Sequence, residues 1–400
     1  MSSVMVLLTM PLGCAGEQEC GENQDLLDYD AGDGSFLYRE LVLPELALAL
    51  EQQAWEALGE TNDDPRDDVH ATLLFADQQY DVGLHLKGFD SFRPIESKPS
   101  FKIDLAEWED DASLYGVRRL TLNNNIQDAS QLAEHLAFRL MEMMGVPSPR
   151  HDYLCVYVND EYYGLYGVVE TIDAQFVERH WEDASGNLYE REQGADLQMD
   201  LLDRYVLKEE GEPADREDLY ELVEVLDATG PEQLLDTLEA HFDADALFDM
   251  WAVDLVIGNV DGYIRRGNNY HLYHEPSSDR WWMIPWDENQ AFWNDFDVHA
   301  PNVDDPDSWP GLLYRHCSIS EACVARLDQH ILDVADMVES MDLEQEARDL
   351  RRRIRDASRH DPKAEFGRGA TKWAQHDVIR FIERRPAQVR NQVEEGSSAR

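Results

Sequence analysis

Lysine is scarce in this chain: six residues, against 28 arginines and 83 acidic residues among 400. The net charge of −49 argues against a nucleic acid partner, because a phosphate backbone is bound by neutralising it with Lys and Arg. A cation or a basic peptide suits such a field better, although dense carboxylate with little lysine equally fits solubility in a salty habitat. No CxxC pair or Cys/His cluster stands at zinc spacing, which argues against a structural zinc. No Gly-rich GxGxxG loop and no internal repeat occur. No apolar run approaches the ~18–20 residues needed to cross a bilayer.

What is present is globular, with 43% hydrophobic and 10% aromatic residues, enough for one large two-lobed domain. The N-terminal VMVLLTMPLGCAG is a short apolar stretch ending in small residues and Cys14. It resembles the signal and lipobox of an exported lipoprotein, but lacks a basic n-region and has Pro11 where leucine is usual. Residues 1–14 are therefore expected to direct export, with a lipid on Cys14. Residues 15–35 read as a flexible acidic tether. Cys155 is expected to be buried in a strand, and Cys317 and Cys323 are spaced to permit a small disulfide loop.

Periodicity divides the remainder. From about residue 36 to 190 the chain is strand-rich, with hairpins over 69–87 and 152–171 and one helical pattern over 129–144. From about 191 to 393 helical patterns dominate, including Ala244–Ile257, and residues 394–400 read as a frayed tail. A hairpin over 269–284 interrupts the helices. The pattern predicts an α+β architecture, with a sheet-rich N-lobe, a helical C-lobe and a cleft between them.

The segment Ile257–Asn289 carries the chemistry. Asp261 and Asp287 each end an apolar run, and Asn268–Asn269 lie between them. One carboxylate to orient a hydroxyl, with amide oxygen and a second carboxylate to hold hard cations, is what Mg-nucleotide phosphotransfer needs. Three of the six lysines, Lys87, Lys98 and Lys102, fall within sixteen residues. Solubility alone would not gather them.

Five ordered motifs, LKGFDSFRPIESKPSFKIDL (86–105), LTLNNNIQDASQLAEHLAFRLMEMMGVPSPR (120–150), VYVNDEYYGLYGVVETID (156–173), NVDGY (259–263) and IPWDEN (284–289), closely resemble the spore-coat CotH kinase family. The resemblance runs from about Tyr38 to Phe292 and implies a divergent protein-kinase-like fold using ATP with Mg²⁺ or Mn²⁺. It implies Asp261 as the catalytic aspartate, Asp287 as a metal ligand, and Asn268 or Asn269 as the metal-binding amide. Lys102 is expected to reach the phosphates and to pair with Glu170, with Lys98 and Arg93 covering the nucleotide. Trp286 is placed either to stack on adenine or to fill core, and Asn123–Asn125 to form scaffold or cleft wall. Two departures stand out: Asn289 replaces a second acid, and Lys87 replaces an arginine.

The resemblance implies a secreted or surface-tethered kinase transferring the ATP γ-phosphoryl group to Ser or Thr of a protein, with a basic, Ser-rich one as a candidate. A non-catalytic adhesion or coat-assembly protein on the same fold is the alternative, and AMP transfer from ATP is a third.

Overall fold

The computed structural model describes residues 20, 32–38, 43–60, 68–76, 78–88, 90–209, 216–301 and 308–399. Cys14, and the expected tether apart from residues 20 and 32–35, lie outside them.

Alternation builds the first lobe. In β3 (Gln78–Lys87), Val82, Leu84 and Leu86 enter a core, while His85 and Lys87 point the other way. The same period in β1 (Glu45–Ala49), β2 (Val69–Phe75), β4 (Ser100–Asp104), β5 (Arg119–Asn123), β6 (His151–Val158) and β7 (Glu161–Glu170) closes a barrel. Its order is β1-β2-β3-β4-β5-β7-β6, and parallel pairing of β1 with β6 completes it. Closure removes the exposed strand edges. Helix α1 (Gln52–Glu60) lies against β2. Helix α2 (Ala133–Met143) follows β5, lies on the outside of the barrel, and also touches the second lobe. After β7, Asp173 caps α3 (Ala174–His180) by accepting from the backbone N–H of Gln175 and Phe176.

The second lobe contains a sheet of its own. Strands β8 (Leu188–Arg191) and β9 (Tyr205–Glu209) join β10 (Tyr270–Glu275) and β11 (Arg280–Pro285) in the order β11-β10-β8-β9. Around it stand α4 (Glu217–Asp227), α5 (Leu234–His241), α6 (Ala244–Ile257), α7 (Tyr263–Arg266), α8 (Leu312–Cys317), α9 (Glu321–Ser340), α10 (Leu343–His360) and α11 (Arg368–Ala399). The architecture is α+β, as the periodicity predicts. Among the described residues, no helix is long and apolar enough to cross a membrane.

Helix α6 is apolar apart from Asp245, Asp249 and Asp254 and runs through the middle of the lobe, a pattern that calls for burial along most of its surface. It starts at Asp243, whose side chain accepts from Ala246 N–H at 3.0 Å, and stops at Gly258 with φ 68°. A Cβ there would sit 1.9 Å from the Asn294 carbonyl oxygen, so only glycine fits. That stop delivers Asn259–Asp261 to the cleft.

Two expectations are corrected. The segment expected as a tail is helical to Ala399, continuing α11. Cys155 is buried in β6 as expected, but it forms a disulfide with Cys20, 135 residues earlier. The Cys317–Cys323 disulfide is present.

Candidate active site

The hairpin β10–β11 sets the frame. Its first pair, Tyr270 opposite Pro285, is extended by a hydrogen bond from Trp286 N–H to the Asn269 carbonyl at 3.0 Å. Asn269 and Asp287 therefore emerge side by side at the open end, both left-handed, with φ 57° and 53°. Non-glycine residues held there mark a backbone over-determined by its surroundings.

The Asn269 side-chain amide donates to the Asp261 carboxylate at 3.1 Å, to the Asp261 carbonyl at 3.2 Å and to the Asp287 carbonyl at 3.5 Å. Asn268 Nδ2 and Gln290 Nε2 also reach Asp261 Oδ2, at 3.4 and 3.3 Å. Burial raises the Asp261 carboxyl above its ordinary range, and the Asn269 and Asn268 amides oppose that. Burial, reinforced by Glu134, pushes Asp287 up to about 7, against the pull of Lys87. The structure thus brings together Asp261, Asp287, Asn268 and Asn269, as their order in the sequence predicts.

The cations are arranged differently from expectation. Lys87, at the end of β3, donates to Asn123 Oδ1 at 2.6 Å and lies 5.4 Å from the centre of the Trp286 ring. Asn123 in turn donates to Glu134 on α2 at 2.9 Å. Burial lowers the Lys87 ammonium, while Asp287, Glu134 and Glu190 sustain its charge. Lys102, one strand over, acts instead on Glu190 and His271. Burial would raise Glu190, but His271, Lys208 and Lys102 bring it down to about 2. Both lysines face this cleft, and Lys87 is the one whose charge reaches Asp287.

The expected Lys102–Glu170 pair does not form. Glu170 is held by Arg150 at 2.8 Å and Arg179 at 2.5 Å, because it ends β7 opposite Leu120, away from Lys102 opposite Thr121. Lys98 is not a nucleotide cover either. It is buried against Asp361 at 2.6 Å and donates to the Leu165 carbonyl, tying the barrel to the segment between α10 and α11. Arg93 pairs with Glu365 of that segment at 3.1 Å. Trp286 is half-buried in a small apolar cluster, edge-on to His271 at 5.8 Å, beside the cleft lysine. Asn124 and Asn125 bind backbone carbonyls of Lys98 and Leu165, a scaffolding part.

Several site residues escaped the sequence. Glu134 reads there as one polar position on an apolar helix, and Lys87 as a mere departure. Beneath Asp261 lies a fully buried unit of Asp254, Asn259 and Glu288. Asn259 Nδ2 donates to Asp254 at 3.1 Å and to Glu288 at 2.6 Å, and its Oδ1 accepts the Asp261 N–H at 3.0 Å. Burial pushes Asp254 up to about 7 and, with Asp254 as neighbour, Glu288 well above the ordinary range. Two such acids side by side disfavour ionising together. A Cβ on Gly262 would lie 2.4 Å from Asp254 Oδ2, which explains the glycine after Asp261.

The donors suit a hard cation. Asn289 Nδ2 donates to Asp287 Oδ1, and Asn289 Oδ1 is buried with no hydrogen-bond partner among the described residues. An orphaned amide oxygen beside a carboxylate is an oxygen pair of the kind Mg²⁺ accepts, with phosphates and water supplying the rest. No group of three or more His, Cys, Asp or Glu side chains among the described residues could hold a metal by itself. Asn268 fits less well than expected, because its Oδ1 accepts from the Arg191 guanidinium.

Comparison with known proteins bears on the family. Over 276 residues the chain is 22% identical to the inner spore coat protein H of Bacillus subtilis (strain 168), covering 67% of this chain and 71% of that protein. A Helicobacter pylori proinflammatory kinase, CtkA, aligns over 74% of this chain and 95% of its own at 13% identity, but with a TM-score of 0.31. So loose a superposition carries no weight. The CotH kinase protein family model matches residues 84–389, well over half of the sequence. The chain belongs to the CotH kinase family.

Proposed function

We propose that the cleft transfers the γ-phosphoryl group of ATP to a serine or threonine hydroxyl of a protein. The observation that carries this reading is the single amide of Asn269, which ties Asp261 to Asp287 across the open end of the hairpin with Lys87 facing them. Asp261 accepts the hydroxyl proton as the new oxygen–phosphorus bond forms and the bond to the β-phosphate oxygen breaks, releasing ADP. Asn268, Asn269 and Gln290 hold the Asp261 carboxylate in one orientation. Lys87 meets the phosphates, steadied through Asn123 by Glu134. Asp287 and Asn289 would hold a Mg²⁺ or Mn²⁺ ion, which when bound supplies neutralisation of the phosphate charge.

The two disulfides support folding in an oxidising compartment, and the likeness to a spore coat protein supports a coat or extracellular location. Export with lipid on Cys14 belongs to this reading.

The test is incubation of the purified chain with γ-³²P-labelled ATP, Mg²⁺ or Mn²⁺ and a basic Ser-rich acceptor, beside Asp261→Ala and Asp287→Ala. Label transferred by the wild type and lost in both variants supports the reading. If nucleotide neither transfers label nor raises the melting temperature, the protein is a binding module. If label moves from α-³²P-ATP but not from γ-³²P-ATP, the transferred group is AMP.

A further inference from the structure

Beside α2 lies a cavity of about 570 Å³, bounded by α2, α3 and the segment leading into β6. Its walls carry Arg139, Arg150, Arg179, His135, His151 and His180, against one acidic side chain, Glu142. In a chain with 83 acids and 34 basic residues, a wall where basic side chains outnumber acidic ones is unusual, although Glu170 and Glu346 stand behind it as partners of the arginines. Phe138 and Val146 supply an apolar wall.

The basic side chains are only partly engaged. Arg150 and Arg179 bind Glu170 through Nε and Nη2, leaving Nη1 of each without a hydrogen bond among the described residues. Arg139 pairs at the rim with Glu142 and Glu346. Nε2 of His180 is buried with no hydrogen-bond partner among the described residues. His151 is 7% exposed, and its Nε2 stands 3.5 Å from Glu134 Oε2. Burial, then His135, lowers the His151 imidazole well below its ordinary range, so it stays neutral. An unpaired buried polar atom costs free energy until a ligand satisfies it.

We propose that this cavity is a second ligand site, for a small molecule with an apolar body and a phosphate or carboxylate head, coupled to the cleft. A cavity of this size, partly apolar with a few convergent polar groups, matches a small-molecule site. The coupling follows a continuous polar line. His135 Nδ1 meets His151 Nδ1 at 3.3 Å, His151 faces Glu134, Glu134 accepts from Asn123, and Asn123 accepts from Lys87. A ligand that turns either imidazole shifts Glu134, and with it the lysine facing Asp287. The coupling, unlike the binding, rests on the phosphotransfer reading.

The test is calorimetric titration of the full chain with phenyl phosphate and with phenylacetate, using inorganic phosphate as the headgroup control. The wild type and Asp287→Ala should bind at least one of the two aromatic anions saturably, and bind inorganic phosphate at least tenfold more weakly. Arg139→Gln and His180→Gln, at unchanged melting temperature, should each weaken binding at least fivefold. Which headgroup wins identifies the ligand's acid. Absence of saturable binding to both probes overturns the site. So does binding that vanishes in Asp287→Ala but survives both cavity variants, since it then belongs to the cleft. With the preferred probe bound, the affinity for Mg-ATP should change at least threefold, and an unchanged affinity overturns the coupling. Failure of the chain to bind Mg-ATP at all removes the coupling together with the phosphotransfer reading, while the cavity isotherm still decides the site.

Discussion

Lys87 and Lys102 stand on adjacent strands, both turned out of the barrel, yet only Lys87 is wired to Asn123 and Glu134. Lys87→Met is expected to lower phosphoryl transfer by roughly 10²–10³-fold, the scale of losing one preorganised charge at the transition state. Lys102→Met is expected to cost less than about tenfold, and single-turnover kinetics with both variants separates them. Asp261→Asn should reduce kcat by about 10²–10⁴-fold while leaving the KM for ATP nearly unchanged, because the proton acceptor acts only in the chemical step. The aspartates were legible from their positions after apolar runs. The lysine whose charge reaches Asp287 was not, because Lys87 and Lys102 alternate identically along their strands and only the partner on α2 distinguishes them. Glu170 illustrates the same limit: a strand-end acid has no local mark of which base it will meet, and Arg150 and Arg179 converge on it from opposite directions in sequence.

At the scale of elements, hairpins and the cap of α6 could be read from turn residues and alternation, because those are short-range steric facts. The joint between α6 and β11 could not, because Asp254 and Glu288 are 34 residues apart and meet through Asn259. Asn259→Leu would leave two buried acids and the Asp261 N–H without their shared partner. The expected loss is about 1–3 kcal/mol for each unsatisfied group, measured by urea unfolding. The Lys98–Asp361 pair joins barrel to C-terminal helices in the same long-range way. Lys98→Met should cost about 3–5 kcal/mol by stranding a buried carboxylate. If it instead raises the KM for ATP at unchanged stability, Lys98 touches nucleotide after all.

For the whole molecule, a charge of −49 repels itself in the compact state. Raising salt from about 0.05 to 1 M shortens the Debye length from over 10 Å to about 3 Å, and the melting temperature should climb accordingly. pH separates a local contribution from that global one. Burial holds Asp254 near 7, against an ordinary value near 4, so the folded chain keeps a proton that the unfolded chain releases. Its contribution is complete below about pH 4 and is lost as pH rises through about 7. Asp254→Asn should therefore flatten the fall in stability between about pH 4 and pH 7. Arg385 of α11 has a consequence in time. Its buried guanidinium binds the carbonyls of Leu255, Val256 and Phe296, at the end of α6 and in the loop beyond β11. A polypeptide emerging from a ribosome or a translocation pore exposes Asp261 and Asp287 about a hundred residues before that clamp arrives. On the phosphotransfer reading, a chain released only that far lacks the contact that seats the end of α6, so the site is expected to assemble only once α11 has followed.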